Sequence, residues 1–250
     1  MEKLQFKQIG IEDTQNCPFC DMPQEGFVKG TIIKDGILEI HDKWYSFCNC
    51  RNIFFTDWSN MEQEVYDETY QDKYDNPEAK GLVLSLAQES FNLLPKKDGL
   101  FVEIGVVTDT ILDEADKRGY NTLAVDINDA TTTKHDFLCA NPDNDDMPKD
   151  ISVIWASHVF EHFEDPINVA KKMYRALSDD GCLYVAMPDP WFIPWANPHL
   201  WAHWHCKEHH IMWDMDSFID MCEEIGFELV TAKRKTFGAE YRIILKKVVK

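Results

Sequence analysis

At 250 residues, with 44% hydrophobic and 12% aromatic residues, the chain can fill one large domain, or one domain of ordinary size plus a small module. A formal charge of −19 argues against nonspecific binding to nucleic acid or anionic membrane, because the phosphate term is repulsive. No stretch approaches the roughly twenty apolar residues of a membrane span, and the start, MEKLQFKQIGIED, lacks the apolar core of a signal peptide. The chain therefore reads as cytoplasmic. Its eight cysteines are then reduced, and close cysteine pairs read as metal ligands rather than disulfides.

Residues 1–58 read as a small β-rich module. Cys17-Pro18-Phe19-Cys20 is a C-x-x-C knuckle, and Cys48-Asn49-Cys50 follows it downstream. Between the pairs, FVKGTIIKDGILEIHDKWYSF alternates apolar and polar residues around Asp35-Gly36, a hairpin signal. Two cysteine pairs joined by a hairpin make a zinc ribbon, with Cys17, Cys20, Cys48 and Cys50 as a closed structural set. In so small a module the metal supplies much of the folding energy. The alternatives are four incidental cysteines, or a set in which His41 replaces one of them. Residues 59–95 read as a helical linker or lid. Tyr66, Tyr70 and Tyr74 recur at helical spacing. Past Pro77 an amphipathic helix carries Leu82, Leu84, Leu86, Phe91 and Leu94.

Residues 96–250 alternate strands and helices, which predicts mostly parallel strands with helices on both faces. The organising stretch is LFVEIGVVTDTILDEADKRGYNTLAVD, residues 100–126. Leu100–Ile104 is a strand, and Gly105 permits a backbone turn that a side chain would obstruct. Thr108 or Asp109 caps a helix with Ile111, Leu112 and Ala115 on one face. Gly119 stops that helix, and the next strand ends in Asp126. That acid stands about twenty residues past the turn, the position that grips ribose hydroxyls in adenosine-binding units. Further strands follow at ISVIWAS and, beginning at Gly181, CLYVAMP. Asp165-Pro166 starts the helix between them. Asp216 or Ser217 caps a last helix, stopped by Gly226, and FELVTAKR and EYRIILKKVV read as a hairpin closing the sheet edge.

The ordered series EIG, AVD, HDF, ISVIWASHVFEHFEDP and LSDDGCLYVAMPDP resembles the class I S-adenosylmethionine-dependent methyltransferases over roughly residues 98–235. The resemblance implies a Rossmann-like, doubly wound, mostly parallel seven-stranded α/β sheet, here behind the zinc-ribbon module. It implies S-adenosylmethionine as cofactor. Glu103 and Gly105 would meet its amino-acid end, Asp126 its ribose, Asp136 and Phe137 its adenine, and Ser157 its methionine portion. The family turn is ExGxGxG, whereas this chain has Glu103, Gly105, Val107 and Asp109. Two of the three glycines are replaced.

Methyl transfer needs alignment, plus a base when the acceptor must lose a proton. The EH pair, Glu161 and His162, follows the fourth core strand. His158 lies one turn earlier if this segment is helical, and the three together also offer a metal-ligand set. The later stretch PDPWFIPWANPHLWAHWHCKEHHIMWD holds five tryptophans and five histidines, placed to cover a strand-end cleft. His210 in it aligns with a family histidine. Glu161, His162 and His210 are therefore the catalytic candidates. The expected function is methyl transfer to a small-molecule or sugar-like acceptor, with no nucleic-acid partner. The alternative is a binding or scaffold protein that keeps the fold without the activity.

Overall fold

A computed structural model describes residues 26–34, 37–47, 52–55, 76–94, 99–129, 131–194, 200–201, 203, 209–236 and 239–249, without the side chains of 26–47, 53–55 and 86. The elements in chain order are β1 (Gly26–Lys34), β2 (Ile37–Phe47), β3 (Ile53–Phe55), α1 (Pro77–Phe91), β4 (Leu100–Ile104), α2 (Thr110–Lys117), β5 (Asn121–Asp126), β6 (Asp136–Cys139), β7 (Ile151–Ser157), α3 (Pro166–Ala176), β8 (Leu177–Pro188), β9 (Ile211–Met212), α4 (Met215–Ile225), β10 (Phe227–Lys235) and β11 (Glu240–Lys247). Cys17, Cys20, Cys48 and Cys50, and the tyrosines at 66, 70 and 74, lie outside the described residues.

The main sheet has seven strands in the order β10-β11-β8-β7-β4-β5-β6. Strands β4 to β8 are mutually parallel. Strand β11 is antiparallel to both of its neighbours, so the final hairpin does close the edge, but with its second strand inside its first. Residues along the central strands alternate between two cores, as a period of two requires. Phe101, Val153 and Trp155 face Ala87, Phe91, Ile111, Leu112 and Ala115 of α1 and α2. Val102, Ile104, Ile154 and Ala156 face Val169, Met173, Phe218 and Cys222 of α3 and α4. This is why ISVIWAS reads as an unbroken apolar run: both of its faces are buried.

Local signals place most helix ends. Asp165 accepts from the Asn168 amide at 3.0 Å, with Pro166 at the first helical position. Gly119 and Gly226 stop α2 and α4 with φ of 93° and 122°. Three expectations shift. In α1 only the second half is buried, through Ala87 and Phe91, and Leu82 is exposed because it precedes the contact with the sheet. Helix α4 is capped by Asp214, not Asp216 or Ser217; the Asp214 carboxylate accepts from the amides of both. Strand β8 begins at Leu177, opposite Ile151, before Gly181.

A second sheet runs β1-β2-β3-β9. Lys34 pairs with Ile37, as the Asp35-Gly36 hairpin signal requires. Strand β3, assigned by sequence to the amino-terminal module, pairs with β9 of the main domain. Asn52 secures that junction: its side chain accepts from the Asp214 amide and donates to Ser217 Oγ, each at 2.9 Å.

Trp155 lies between Phe91 and Tyr184, with ring centroids 4.8 and 3.6 Å away. Truncating a buried ring of this size leaves a cavity costing about 3–5 kcal/mol. Trp155→Ala should lower unfolding free energy by that amount, measured by urea denaturation.

Candidate active site

Polar groups emerge at the carboxyl ends of β4, β5, β7 and β8, where parallel strands leave a crevice. Two turns meet there. The turn after β4 contains Gly105, at φ +76°, where a Cβ would lie 2.9 Å from Val159 Cγ2. The turn after β7 contains Val159 and leads into a single 3-10 turn, Phe160–His162. Glycine is needed at 105 on both counts, backbone angle and contact.

Of the two replaced glycine positions, Val107 is half-buried and Asp109 is held by its neighbours. Val106 is buried in the α1–α2 core rather than in the crevice. Its amide donates to Asp126 Oδ2 at 2.9 Å, while Asp126 Oδ1 accepts from the Asn128 amide at the same distance. Asp109 stands at the start of α2 but makes no side-chain cap bond. Its carboxylate accepts instead from Thr133 Oγ1 at 2.5 Å and from the Lys134 amide at 3.3 Å. The acid in the glycine position thus latches the turn to the β5–β6 connection.

Glu103 is 6% exposed, and its Oε2 has no hydrogen-bond partner among the described residues. Burial, together with the Asp109 and Asp126 carboxylates, pushes its pKa well above the ordinary carboxylate value. Burial likewise raises Asp126, against the backbone amides that it accepts from.

The second half of the crevice is a histidine–glutamate cluster. His158 has φ 54°, an unusual angle for a residue with a side chain, and its amide donates to Ala186 O. Its Nε2 bonds Glu240 Oε2 at 2.9 Å, and its Nδ1 lies 3.4 Å from Glu161 Oε1, an ion-pair distance. Arg242 Nε donates to Glu240 Oε1 at 2.7 Å. Burial opposes the His158 charge, but Glu161 and Glu240 outweigh it and push its pKa up to about 10. Burial also opposes the Glu161 charge, and His158 reverses that, holding it low. His209 lies on the far side, its Nε2 3.9 Å from Glu161 Oε1 and its ring edge-on to His162. His203 stacks on both His158 and His209.

The sequence-derived candidates separate accordingly. Glu103, Gly105 and Asp126 come together at the ends of β4 and β5, and Ser157 ends β7 opposite Ala186. Asp136 and Phe137 do not join them. Asp136 starts β6, paired with Leu123, and Phe137 pairs with Ala124 and packs against the α1–α2 core. Cys139 is the β6 residue level with Asp126. Position, not residue type, removes Asp136 and Phe137 from the crevice: at about 3.3 Å per residue they sit well below its rim.

Among the catalytic candidates, Glu161 is 1% exposed and His162 half-buried. His210 is buried, and its amide donates to Glu161 O at 2.7 Å. His158 and His162 do not share a helical face, because no helix runs between them. Sequence reasoning missed His209, Glu240 and Arg242. The adjacent pair His209-His210 was a visible signal, whereas Glu240 and Arg242 are alternate residues on a distant strand that reads as ordinary edge.

A family model described as a methyltransferase domain matches residues 71–232. The chain belongs to that family. It carries an S-adenosylmethionine-dependent methyltransferase domain, and the crevice described above is where the parallel strands of such a domain end. Solved structures agree in fold. A SAM-dependent methyltransferase from Archaeoglobus fulgidus is 15% identical, with 73% of this chain and 100% of that one covered and a TM-score of 0.57. One from Aquifex aeolicus is 12% identical, with 74% and 100% covered and a TM-score of 0.55. The cyclase SpnF is also similar, at 13% identity, 69% and 82% coverage and a TM-score of 0.50. Likeness at these identities shows the fold alone. No curated protein matches the sequence. Among the described residues, no helix is long and apolar enough to cross a membrane.

Because its pKa is raised, Glu103 keeps a proton in the folded chain where the unfolded chain has lost it. Its stabilising contribution is full below the ordinary glutamate pKa and lost as pH rises through the folded value. Glu103→Gln should therefore raise the melting temperature of the ligand-free protein by about 2–4 °C at about pH 8, and change it little at about pH 4. Thermal melts at the two pH values check this.

Proposed function

We propose that this chain transfers a methyl group from S-adenosylmethionine to a small-molecule or sugar-like acceptor held against the histidine–glutamate cluster. The observation that carries this reading is the buried Glu103 carboxylate, whose Oε2 has no partner among the described residues, beside the Gly105 turn and Asp126. S-adenosylmethionine supplies a methyl group on a positively charged sulfur, transferable by in-line displacement. Glu103 receives the cofactor's ammonium. Gly105 lets the backbone approach it, since a Cβ there has no room. Asp126 spends only part of its acceptor capacity on backbone amides and accepts from the ribose hydroxyls with the rest.

His158, held as imidazolium between two carboxylates, is a poor base and a good anchor for the turn. Acceptor activation falls to the half-buried His162 side of the cluster, with Glu161 and His209 behind it. The acceptor class rests on shape and charge. Trp191 is 70% exposed at the end of β8, with the Arg234 guanidinium over its ring at 5.2 Å, a surface suited to a sugar or a flat ring. The net charge of −19 disfavours a nucleic-acid acceptor. The scaffold alternative drew on the altered glycine turn. Against it stands the latch made by Asp109, which holds the turn in place.

Calorimetry with S-adenosylmethionine tests the reading. Heat should appear, and affinity should rise with pH by up to about tenfold per unit below the Glu103 pKa, because the ammonium needs the ionised carboxylate. Asp126→Asn should weaken binding about 10–100-fold, as loss of hydrogen bonds to a charged group does. Absence of binding at millimolar ligand would refute the proposal. In a labelled-methyl screen of hydroxylated small molecules and sugar nucleotides, His162→Ala should lower kcat about 10²–10⁴-fold while leaving cofactor affinity unchanged.

A further inference from the structure

The side chains of Glu161, His162 and His209 each present a ligand atom, and these atoms lie within 4.8 Å of one another. Two of the three are almost wholly buried, Glu161 at 1% and His209 at 5% exposure. Neither carboxylate oxygen of Glu161 and not Nδ1 of His209 has a hydrogen-bond partner among the described residues. A buried carboxylate with unused lone pairs is costly unless something positive takes them up. His158 does this in part, from 3.4 Å and on one oxygen, but its own short bond goes to Glu240.

We propose that Glu161, His162 and His209 form a binding site for one divalent transition-metal ion, zinc by the character of its ligands. Two imidazoles and one carboxylate are a borderline nitrogen–oxygen set that suits zinc and its neighbours, whereas magnesium and calcium take all-oxygen sites. Tetrahedral zinc, with bonds of about 2.0–2.1 Å, needs ligand atoms about 3.3 Å apart. The three side chains therefore have to draw in by up to about 1.5 Å, which rotation about their χ angles accommodates. Three protein ligands leave one coordination position for water or an acceptor hydroxyl.

The supports of the site are already rigid. Phe160 and Phe163 flank the two turn ligands and pack edge to face at 5.2 Å, and Phe160 packs on Phe218 in the same manner. The His162 amide donates to Val159 O at 3.0 Å. The His210 amide, next to the third ligand, donates to Glu161 O at 2.7 Å, joining the two ligand-bearing segments through their backbones. Such a frame holds ligands in place before an ion arrives. The site deepens the reading of the cluster as the place of acceptor activation, but ion binding is read without cofactor or acceptor.

The full chain, stripped with a chelator, is titrated with cobalt(II) and then zinc, in the absence of S-adenosylmethionine. Cobalt at the cysteines of residues 17–50 shows intense thiolate charge-transfer absorption; cobalt on Glu161, His162 and His209 shows weak visible bands without it. The expected result is a sulfur-free cobalt population, displaced by zinc. It should be lost in Glu161→Gln and His162→Ala, with more than the about 10–100-fold fall in affinity that follows loss of even an outer partner. Circular dichroism verifies that the variants fold; where one does not, the wild-type spectrum and His209→Gln decide. Cobalt bound only with thiolate absorption, no cobalt bound at all, or equal affinity in wild type and Glu161→Gln each overturns the proposal. A parallel titration with S-adenosylmethionine separates this failure from failure of the methyl-transfer reading.

Discussion

Strands β4 and β7 are buried on both faces, with Phe101, Val153 and Trp155 turned to one helical layer and Val102, Ile104, Ile154 and Ala156 to the other. A backbone covered in this way has only its ends available for chemistry, since a polar side chain along its length would be desolvated without a partner. The polar groups that the parallel strands contribute to the candidate site obey this. Glu103 is the last residue but one of β4, Asp126 ends β5, Ser157 ends β7, and Glu161 and His162 lie just past it. The helical layers hold these ends at fixed separations, so the crevice is set by the packing of residues that never reach it.

The price of this arrangement is concentrated electrostatics. The crevice gathers Glu103, Asp109 and Asp126 on one side and Glu161 and Glu240 on the other, in a chain already strongly acidic. The two sides are managed differently. On the second, His158 and Arg242 neutralise the glutamates within the fold. On the first, no cation of the described chain is paired to Glu103, and its proton is held by burial instead. On the second side, neutralisation is complete for Glu240, which takes both short bonds, and partial for Glu161, which His158 reaches only at 3.4 Å. His158, ion-paired to both glutamates, works structurally, while His162 and His209 stand beside Glu161 with their ring nitrogens nearby.

The altered glycine turn shows how a fold absorbs a departure from its family's pattern. The valine at 107 is half-buried. An aspartate at 109 finds donors because Thr133 and Lys134 pass above it. Only Gly105 remains indispensable, because Val159 stands where a Cβ would be and the backbone angle is left-handed. Of the family glycines, the one retained is the one that tertiary contact demands.

Much of this was legible in the chain itself. Apolar runs bounded by Gly105, Gly119, Asp165-Pro166 and Gly226 specify the strand–helix alternation, because these punctuation residues act through local backbone angles and caps. The acid at the end of each strand, Glu103 and Asp126, follows from the same local grammar. What sequence alone misplaced depends on contacts between distant segments. Asp136 and Phe137 sit at the foot of β6 because its register with β5 is a matter of pairing, not of composition. Asp214 rather than Asp216 caps α4, and Asn52, far away in the chain, accepts from its amide. His209 and Glu240 enter the site because the β9 approach and the β10–β11 hairpin fold back onto the β7 turn. Periodicity and capping are written in neighbouring residues and can be read there, whereas a cluster assembled from residues 158, 161, 209 and 240 exists only once the sheet has brought its strands together.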